Sequence, residues 1–382
     1  MDLNDKTETL HTVFSPAAPI RSRDFFMGRF EQLRRVEQAV REPGQHIVLF
    51  GERGVGKTSF ANIIETEFGG TKTAKLTCSR NLQFTEIWKE LLRKAWKAFN
   101  LDAAALAKIP ATLDPFTLVD ALGAIEKPYL FIFDEFDSIS NKAMLGLFAD
   151  TVKSLSDNLP HLHCMFVGIG LSVKDLIGEH ASLERCLRQV HLPRMSEEEL
   201  SEIVDKGLMR LKMNMDKSVR ADVIEFSQGF PHYTHLLSKY AVENALKLRY
   251  QYVARNNFDS AIDEAITNAH ESIRAAYQSA VTSRGNSEFY QNVVWACALV
   301  KEDDHGSFKA AEVRPVLEKL SKKSQPVNSY GYHLSKLCLD SRGQMLAKVT
   351  FGKQIRYHFR NPILKAYITL ELYRKGVLRD FR

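Results

Sequence analysis

The sequence predicts an α/β protein: a parallel sheet, then a run of helices, then a small basic domain of three helices and a β-hairpin. Three features lead to that expectation. In HIVLFGERGVGKTSFANII (His46 to Ile64) an apolar run is followed by closely spaced glycines and then by helical periodicity. A second apolar run, YLFIFDEFD (Tyr129 to Asp137), delivers acids at its C-terminal end. From Ser196 the strand pattern gives way to helical spacing until about Ser283.

Taken in order, residues 1–22 form an N-terminal segment whose start, MDLNDKTETLHT, is polar and acidic rather than signal-like. No apolar run approaches the ~20 residues needed to cross a bilayer, so the expectation is a cytoplasmic protein without membrane partners. At 382 residues, with 45% hydrophobic and 26% charged, the chain is long enough for two or three ordinary cores. Cys78, Cys164, Cys186, Cys297 and Cys338 are scattered, with neither a C-x-x-C pair nor histidines at zinc spacing, and read as reduced core residues.

The α/β domain is expected over 23–195. His46 to Phe50 has the length and β-branched content of a buried parallel strand, and from Ser59 a helix places Phe60, Ile63 and Ile64 on one face. Gly51, Gly54 and Gly56 free the turn between them, so amide groups of Gly51, Glu52, Arg53, Gly54, Val55, Gly56, Lys57, Thr58 and Ser59 can surround an anion. The stretch fits G-x-x-x-x-G-K-[ST]: Lys57 would reach the β- and γ-phosphates of ATP, Thr58 would ligate Mg²⁺, and the helix turns its positive end to the phosphates. A glycine-rich turn without a ligand is the alternative.

TKTAKLTCS (Thr71 to Ser79) alternates like a strand, Phe84 to Phe99 has helical spacing, and HLHCMFVGIG (His161 to Gly170) and RQVHLPRM (Arg188 to Met195) supply further strands. In FIFDE (Phe131 to Glu135), Asp134 would hold Mg²⁺ through water and Glu135 would be the base that polarises the attacking water. An acidic turn after a core strand is the competing reading. A helical lid is expected over 196–284, opened by the capping box Ser196 to Glu199 and broken at Gly229-Phe230-Pro231.

Over 285–382, helices at Glu288 to Val300, Ala310 to Leu320 and Ser329 to Asp340 precede strands at Gln344 to Phe351 and Gln354 to Arg360. That is the order of a winged helix. From Gly306 to Arg382 there are 16 Lys and Arg against 5 Asp and Glu, a local +11 in a chain of net +6. The basic end suits a polyanion, with Lys348, Lys353 and Arg356 as contacts to duplex DNA, or else it is a solvated basic face.

The GKT loop, the FIFDE strand, the FFMGR box ahead of both and the lid with its terminal winged helix resemble AAA+ ATPases, especially the Orc/Cdc6-like group, over roughly Arg23 to Leu378. The resemblance implies a P-loop NTPase sheet with a helical lid and a C-terminal winged helix. It also implies ATP hydrolysis with Mg²⁺, a homo-oligomer, and duplex DNA binding coupled to nucleotide state. In that family the segment matching Phe26, Met27, Gly28 and Arg29 lies against the adenine; the residues alone fit either a base clasp or a helix staple. Within EHASLERCLR (Glu179 to Arg188), Arg185 resembles an arginine finger, with Arg188 a competitor and a surface ion pair the alternative for either. Ser172 is the nearest match to a polar sensor. Where many relatives have G-D-x-R, this chain has Gly229-Phe230-Pro231-His232, with Pro231 and His232 at the nucleotide-sensing positions. That form resembles the lid of STAND signalling ATPases and implies a second possibility, a slow switch acting on a protein effector.

Overall fold

A computed structural model describes residues 3–67, 72–102, 109–170, 183, 185–283, 285, 287–303, 306–323, 327–351 and 354–381. The chain forms two compact units, residues 18–193 and residues 1–17 with 194–382. The N-terminal segment is therefore divided between them. Helix α1 (Leu3–Val13) belongs to the second unit.

The first unit carries helix α2 (Phe30–Arg41) and a five-stranded sheet. Its strands are β1 (His46–Gly51), β2 (Lys72–Thr77), β3 (Tyr129–Asp134), β4 (Leu162–Ile169) and β5 (Leu187–His191), in the spatial order β2-β3-β4-β1-β5 and parallel throughout. β1 and β3 are buried along their whole length, so apolar residues fill both faces instead of alternating with polar ones. On one face, Phe131, Phe133 and Phe166 pack with Trp88 of α4 (Phe84–Phe99) and Phe148 of α6 (Lys142–Asn158); α5 (Pro115–Leu122) lies between those two helices in sequence. The opposite face carries α3 (Lys57–Glu67), whose Phe60, Ile63 and Ile64 are buried. β4 separates β1 from β3, so the two sequence motifs emerge at the same sheet edge with a gap between them, the position where parallel sheets take ligands.

The second unit is helical: α7 (Glu197–Leu211), α8 (Lys217–Ser227), α9 (Pro231–Lys247), α10 (Arg255–Thr267), α11 (Glu271–Val281), α12 (Ser287–Leu299), α13 (Ala310–Ser321), α14 (Val327–Lys336) and α15 (Ile363–Arg374). Ser196 caps α7 through Glu199 N–H, as the S-E-E-E pattern requires. The short pair β6 (Asn214–Met215) and β7 (Tyr252–Val253) joins these helices, and β8 (Ser307–Phe308) pairs with the hairpin of β9 (Leu346–Phe351) and β10 (Gln354–Phe359). The expected three helices and hairpin are present, with β8 added between α12 and α13 as a third strand.

Residues 196–284 and 285–381 share one core instead of parting near residue 285. Tyr373 of α15 packs on Phe226 and Phe258 and donates to Asp259, and Arg255 pairs with Asp222. α1 joins the same core: Phe14 is fully buried against Gly207, where a Cβ would come within 2.2 Å of its ring. Among the described residues no helix is long and apolar enough to cross a membrane.

Candidate functional site

The turn after β1 needs its glycines for two separate reasons. Gly54 and Gly56 have φ of 91° and 96°, in the region that L side chains avoid, while a Cβ on Gly51 would lie 2.3 Å from the Leu192 carbonyl. Lys57 opens α3 with its side chain folded into the loop, donating to the carbonyls of Gly51 (3.0 Å) and Glu52 (2.7 Å). Burial lowers its pKa to about 8, against the opposing pull of Asp137, Asp134 and Glu52. The ammonium thus sits on weak neutral acceptors, which an anion can displace.

Thr58 Oγ1 lies 3.5 Å from Asp134 Oδ1, bringing together two residues separated by 76 positions. Asp134 is almost fully buried, and its Oδ1 also accepts the Glu135 N–H at 3.0 Å. Glu135 has φ of 53°, an uncommon conformation for a non-glycine residue that turns the chain sharply out of β3 and leaves its carboxylate exposed. One acid is held inside and its neighbour is presented outside. Asp137, beyond them, accepts the Ile169 N–H at 2.9 Å and ties the end of β3 to the end of β4. The Cys78 thiol nearby is pushed up to about 12 by burial and by Asp134, Glu135 and Asp137, so it stays a thiol.

This donor set fits Mg²⁺. Among the described residues no cluster of three or more His, Cys, Asp or Glu could hold a metal unaided. A hydroxyl beside one carboxylate suits a cation that keeps its waters and takes its remaining oxygens from phosphates.

The FFMGR box lies against the same loop but not as a set of open base contacts. Arg29 is buried at φ of 61° and donates to the Val55 carbonyl at 3.2 Å, so it braces the glycine loop from behind. Phe26 meets Phe60 of α3 edge-on at 6.1 Å, and Gly28 is buried. Just ahead, Ile20 is stitched to α3: its N–H donates to Ser59 Oγ and its carbonyl accepts from Asn62. The Ser59 hydroxyl is therefore engaged in docking this segment. Arg53 is exposed at the tip of the turn.

Arg185 and Arg188 lie on the surface in ion pairs, with Asp157 at 3.0 Å and Glu42 at 3.1 Å. Ser172 lies outside the described residues. In the helical unit, Pro231 starts α9 and His232 Nδ1 lies 2.9 Å from the Pro16 carbonyl, so this ring is engaged by the N-terminal segment.

Two of the three basic hairpin residues are described. The Arg356 side chain is 16% exposed, paired with Asp303 at 2.9 Å and bonded to both oxygens of Ser307. The guanidinium fastens β10 to β8. Lys348 is exposed and donates to Ser335 of α14, whereas Lys353 lies outside the described residues.

Sequence reasoning passed over Lys75, whose Nζ lies 3.5 Å from Asp134 Oδ2. The available signal was the alternation in TKTAKLTCS, which assigns Lys75 to the opposite face from Ala74 and Leu76. It could not show which acid that face meets.

No family model matches the chain, and no curated protein matches it. Solved structures do share its fold. A Walker-type ATPase of Pyrococcus abyssi is 15% identical with a TM-score of 0.56, covering 94% of this chain and 99% of that one. The ORC2 protein of Aeropyrum pernix, solved as ADPNP–ADP complexes, is 14% identical with a TM-score of 0.53, covering 96% of this chain and 97% of that one. The chain shares the fold of these two proteins.

Proposed function

We propose that this protein binds ATP with Mg²⁺ in the crevice beyond β1 and β3, hydrolyses it slowly, and couples its nucleotide state to oligomerisation and to duplex DNA through a C-terminal winged helix. The observation that carries the reading is the glycine loop, with positive φ at Gly54 and Gly56 and the buried Lys57 resting on its carbonyls. Such a cradle offers N–H groups and one cation in a place of low dielectric, where both act strongly on phosphate oxygens.

Lys57 moves from its carbonyls to the β- and γ-phosphates. Thr58 and Asp134 would hold Mg²⁺, which supplies charge neutralisation to the phosphates when bound. Glu135, exposed beside Asp134, orients a water and takes up its proton. Phe26 and Gly28 form the seat for the base, and Arg29 keeps the loop in shape beneath it. Arg185 exchanges Asp157 for the γ-phosphate of a neighbouring subunit, where it meets charge developing in the transition state. His232 stands where relatives carry an arginine, so the fixed fork of a guanidinium is absent and turnover is slow. Lys348 and Lys353 contact DNA phosphates, with α14 entering the groove.

ATP turnover with and without duplex DNA tests the proposal. Stimulation by DNA supports it; turnover indifferent to DNA, with no DNA retained, removes the DNA half.

A second reading, a STAND-like switch that releases a protein effector, is favoured by one ionic cluster. Glu302 Oε2 accepts from Arg194 at 2.6 Å and from Lys365 at 2.8 Å, all three being largely buried. Arg194 also lies 4.8 Å over the Phe230 ring, next to Pro231. The lid break and the last helix are thus pinned through one carboxylate, as an internal clamp would require. On that reading Glu302→Gln raises basal turnover or nucleotide release, and DNA has no effect.

A further inference from the structure

We infer that Lys75 is a built-in counter-cation for Asp134, one that lets the site hold nucleotide with a reduced demand for divalent metal. The inference rests on the nucleotide reading above and specifies how that site treats its metal. It starts from the division of the Asp134 carboxylate. Oδ1 faces Thr58 Oγ1 and accepts the Glu135 N–H, so it belongs to the glycine-loop side; Oδ2 faces the Lys75 ammonium at 3.5 Å. The pair is secluded, with side chains 13% and 2% exposed.

Strand geometry fixes Lys75 in this direction. It lies opposite Ile132 in the β2–β3 register, two positions before Thr77 opposite Asp134, so it shares with Asp134 the face covered by α3. Asn62 of α3 supplies a second acceptor for Nζ through Oδ1 and is itself held by its Nδ2 on the Ile20 carbonyl. The lysine is therefore positioned from two sides and cannot swing away without leaving two buried acceptors empty. An ordinary structural pair would account for Lys75 beside a buried acid. The added consequence comes from the oxygen it leaves free: a cation on Oδ2 lowers the negative potential at Oδ1, where a metal would be drawn, and offsets repulsion between Asp134 and a triphosphate arriving without metal.

Two effects of opposite sign follow from removing that charge. In Lys75→Gln the amide keeps hydrogen bonds to Asp134 and Asn62, ATP affinity in EDTA falls by roughly tenfold, and the Mg²⁺ concentration that half-restores binding falls by a similar factor. Lys75→Arg keeps both quantities near the wild-type values. Calorimetric or fluorescent-nucleotide binding to the full-length protein, in EDTA and across a Mg²⁺ titration, reads both without turnover. Near-UV circular dichroism confirms that the variants are folded; if the glutamine variant is not, the inference stands or falls on Lys75→Met, which keeps most of the length of the side chain without its charge and should shift both quantities as Lys75→Gln does. Unchanged metal-free affinity or an unchanged Mg²⁺ midpoint in the folded variant overturns the inference. Wild-type protein that binds no ATP in either condition overturns the nucleotide reading itself, and this inference with it.

Discussion

The glycine-loop crevice and the basic C-terminal hairpin both carry conspicuous cations, but they hold them in opposite ways. Lys57 rests on two neutral carbonyls of its own loop, partners that a phosphate outcompetes. In the hairpin and the helix that follows, Arg356, Lys365 and Arg374 are paired with Asp303, Glu302 and Glu371. The first region leaves its charge on neutral partners that an anion can displace. The second directs much of its charge inward, so the +11 counted along residues 306–382 overstates what a polyanion would meet.

The sharpest break of this contrast is at Lys57. Lys57→Ala removes the cation of the loop and should weaken ATP binding by about 10²–10⁴-fold, as for other desolvated charge partners. Equilibrium binding on a folded variant checks it; near-normal affinity would mean that the loop holds no phosphate. Glu135→Gln is the control, since an amide cannot take up the proton while Asp134 is untouched. It should keep ATP bound and abolish turnover in a single-turnover assay.

Arg356→Ala tests the other side. If the guanidinium fastens β10 to β8, its loss removes the ion pair to Asp303 and two hydrogen bonds to Ser307 and should cost about 1–3 kcal/mol of stability. Chemical denaturation reads that loss. A variant of unchanged stability with weakened DNA binding would return Arg356 to the surface role expected from the sequence.

That reversal shows what the sequence made legible. The glycine spacing could be read because each glycine answers a local backbone demand, visible as positive φ at Gly54 and Gly56. Strand β3 and its acids were legible for a similar reason: an apolar run of five residues, Tyr129 to Phe133, followed by carboxylates has few other uses. The partners of Arg356 were not legible because they stand 49 and more positions away, at Ser307 and Asp303, and alternation along a hairpin says nothing about the strand beside it. Lys75 was missed on the same ground, 59 residues from Asp134. The division of residues 1–22 between two units was equally hidden, since Phe14 meets its partner at Gly207 and Ile20 at Ser59.

A milder perturbation uses protons instead of substitutions. Lys57 has its pKa lowered to about 8 by burial, and a bound phosphate raises it by restoring a counter-charge. Below pH 8 the lysine is already protonated and affinity is flat in this respect. Above pH 8 binding must take up a proton, so ATP affinity should fall by up to about tenfold per pH unit. Calorimetry at pH 8.5 in two buffers of different ionisation enthalpy should register the uptake. Zero uptake would mean that the free site already stabilises the charged form.

The smallest expected effect separates Lys348 from its paired neighbours. It is exposed and donates to Ser335 on α14, the helix proposed to enter the groove. An exposed lysine contributes little to folding, so Lys348→Ala should leave stability within about 0.5 kcal/mol of wild type. If the lysine touches a phosphate, its removal eliminates one released counterion, and the slope of log affinity against log salt should flatten by about one unit. The loss should be equal on unrelated duplexes, because a phosphate contact carries no base information. A salt titration of both proteins on two duplexes decides among three cases. A flatter slope on both places a phosphate at Lys348; a loss on one duplex alone makes it a base reader; an unchanged slope leaves the hairpin a packing element, with the inward pairing seen at Arg356 extended to the whole basic face.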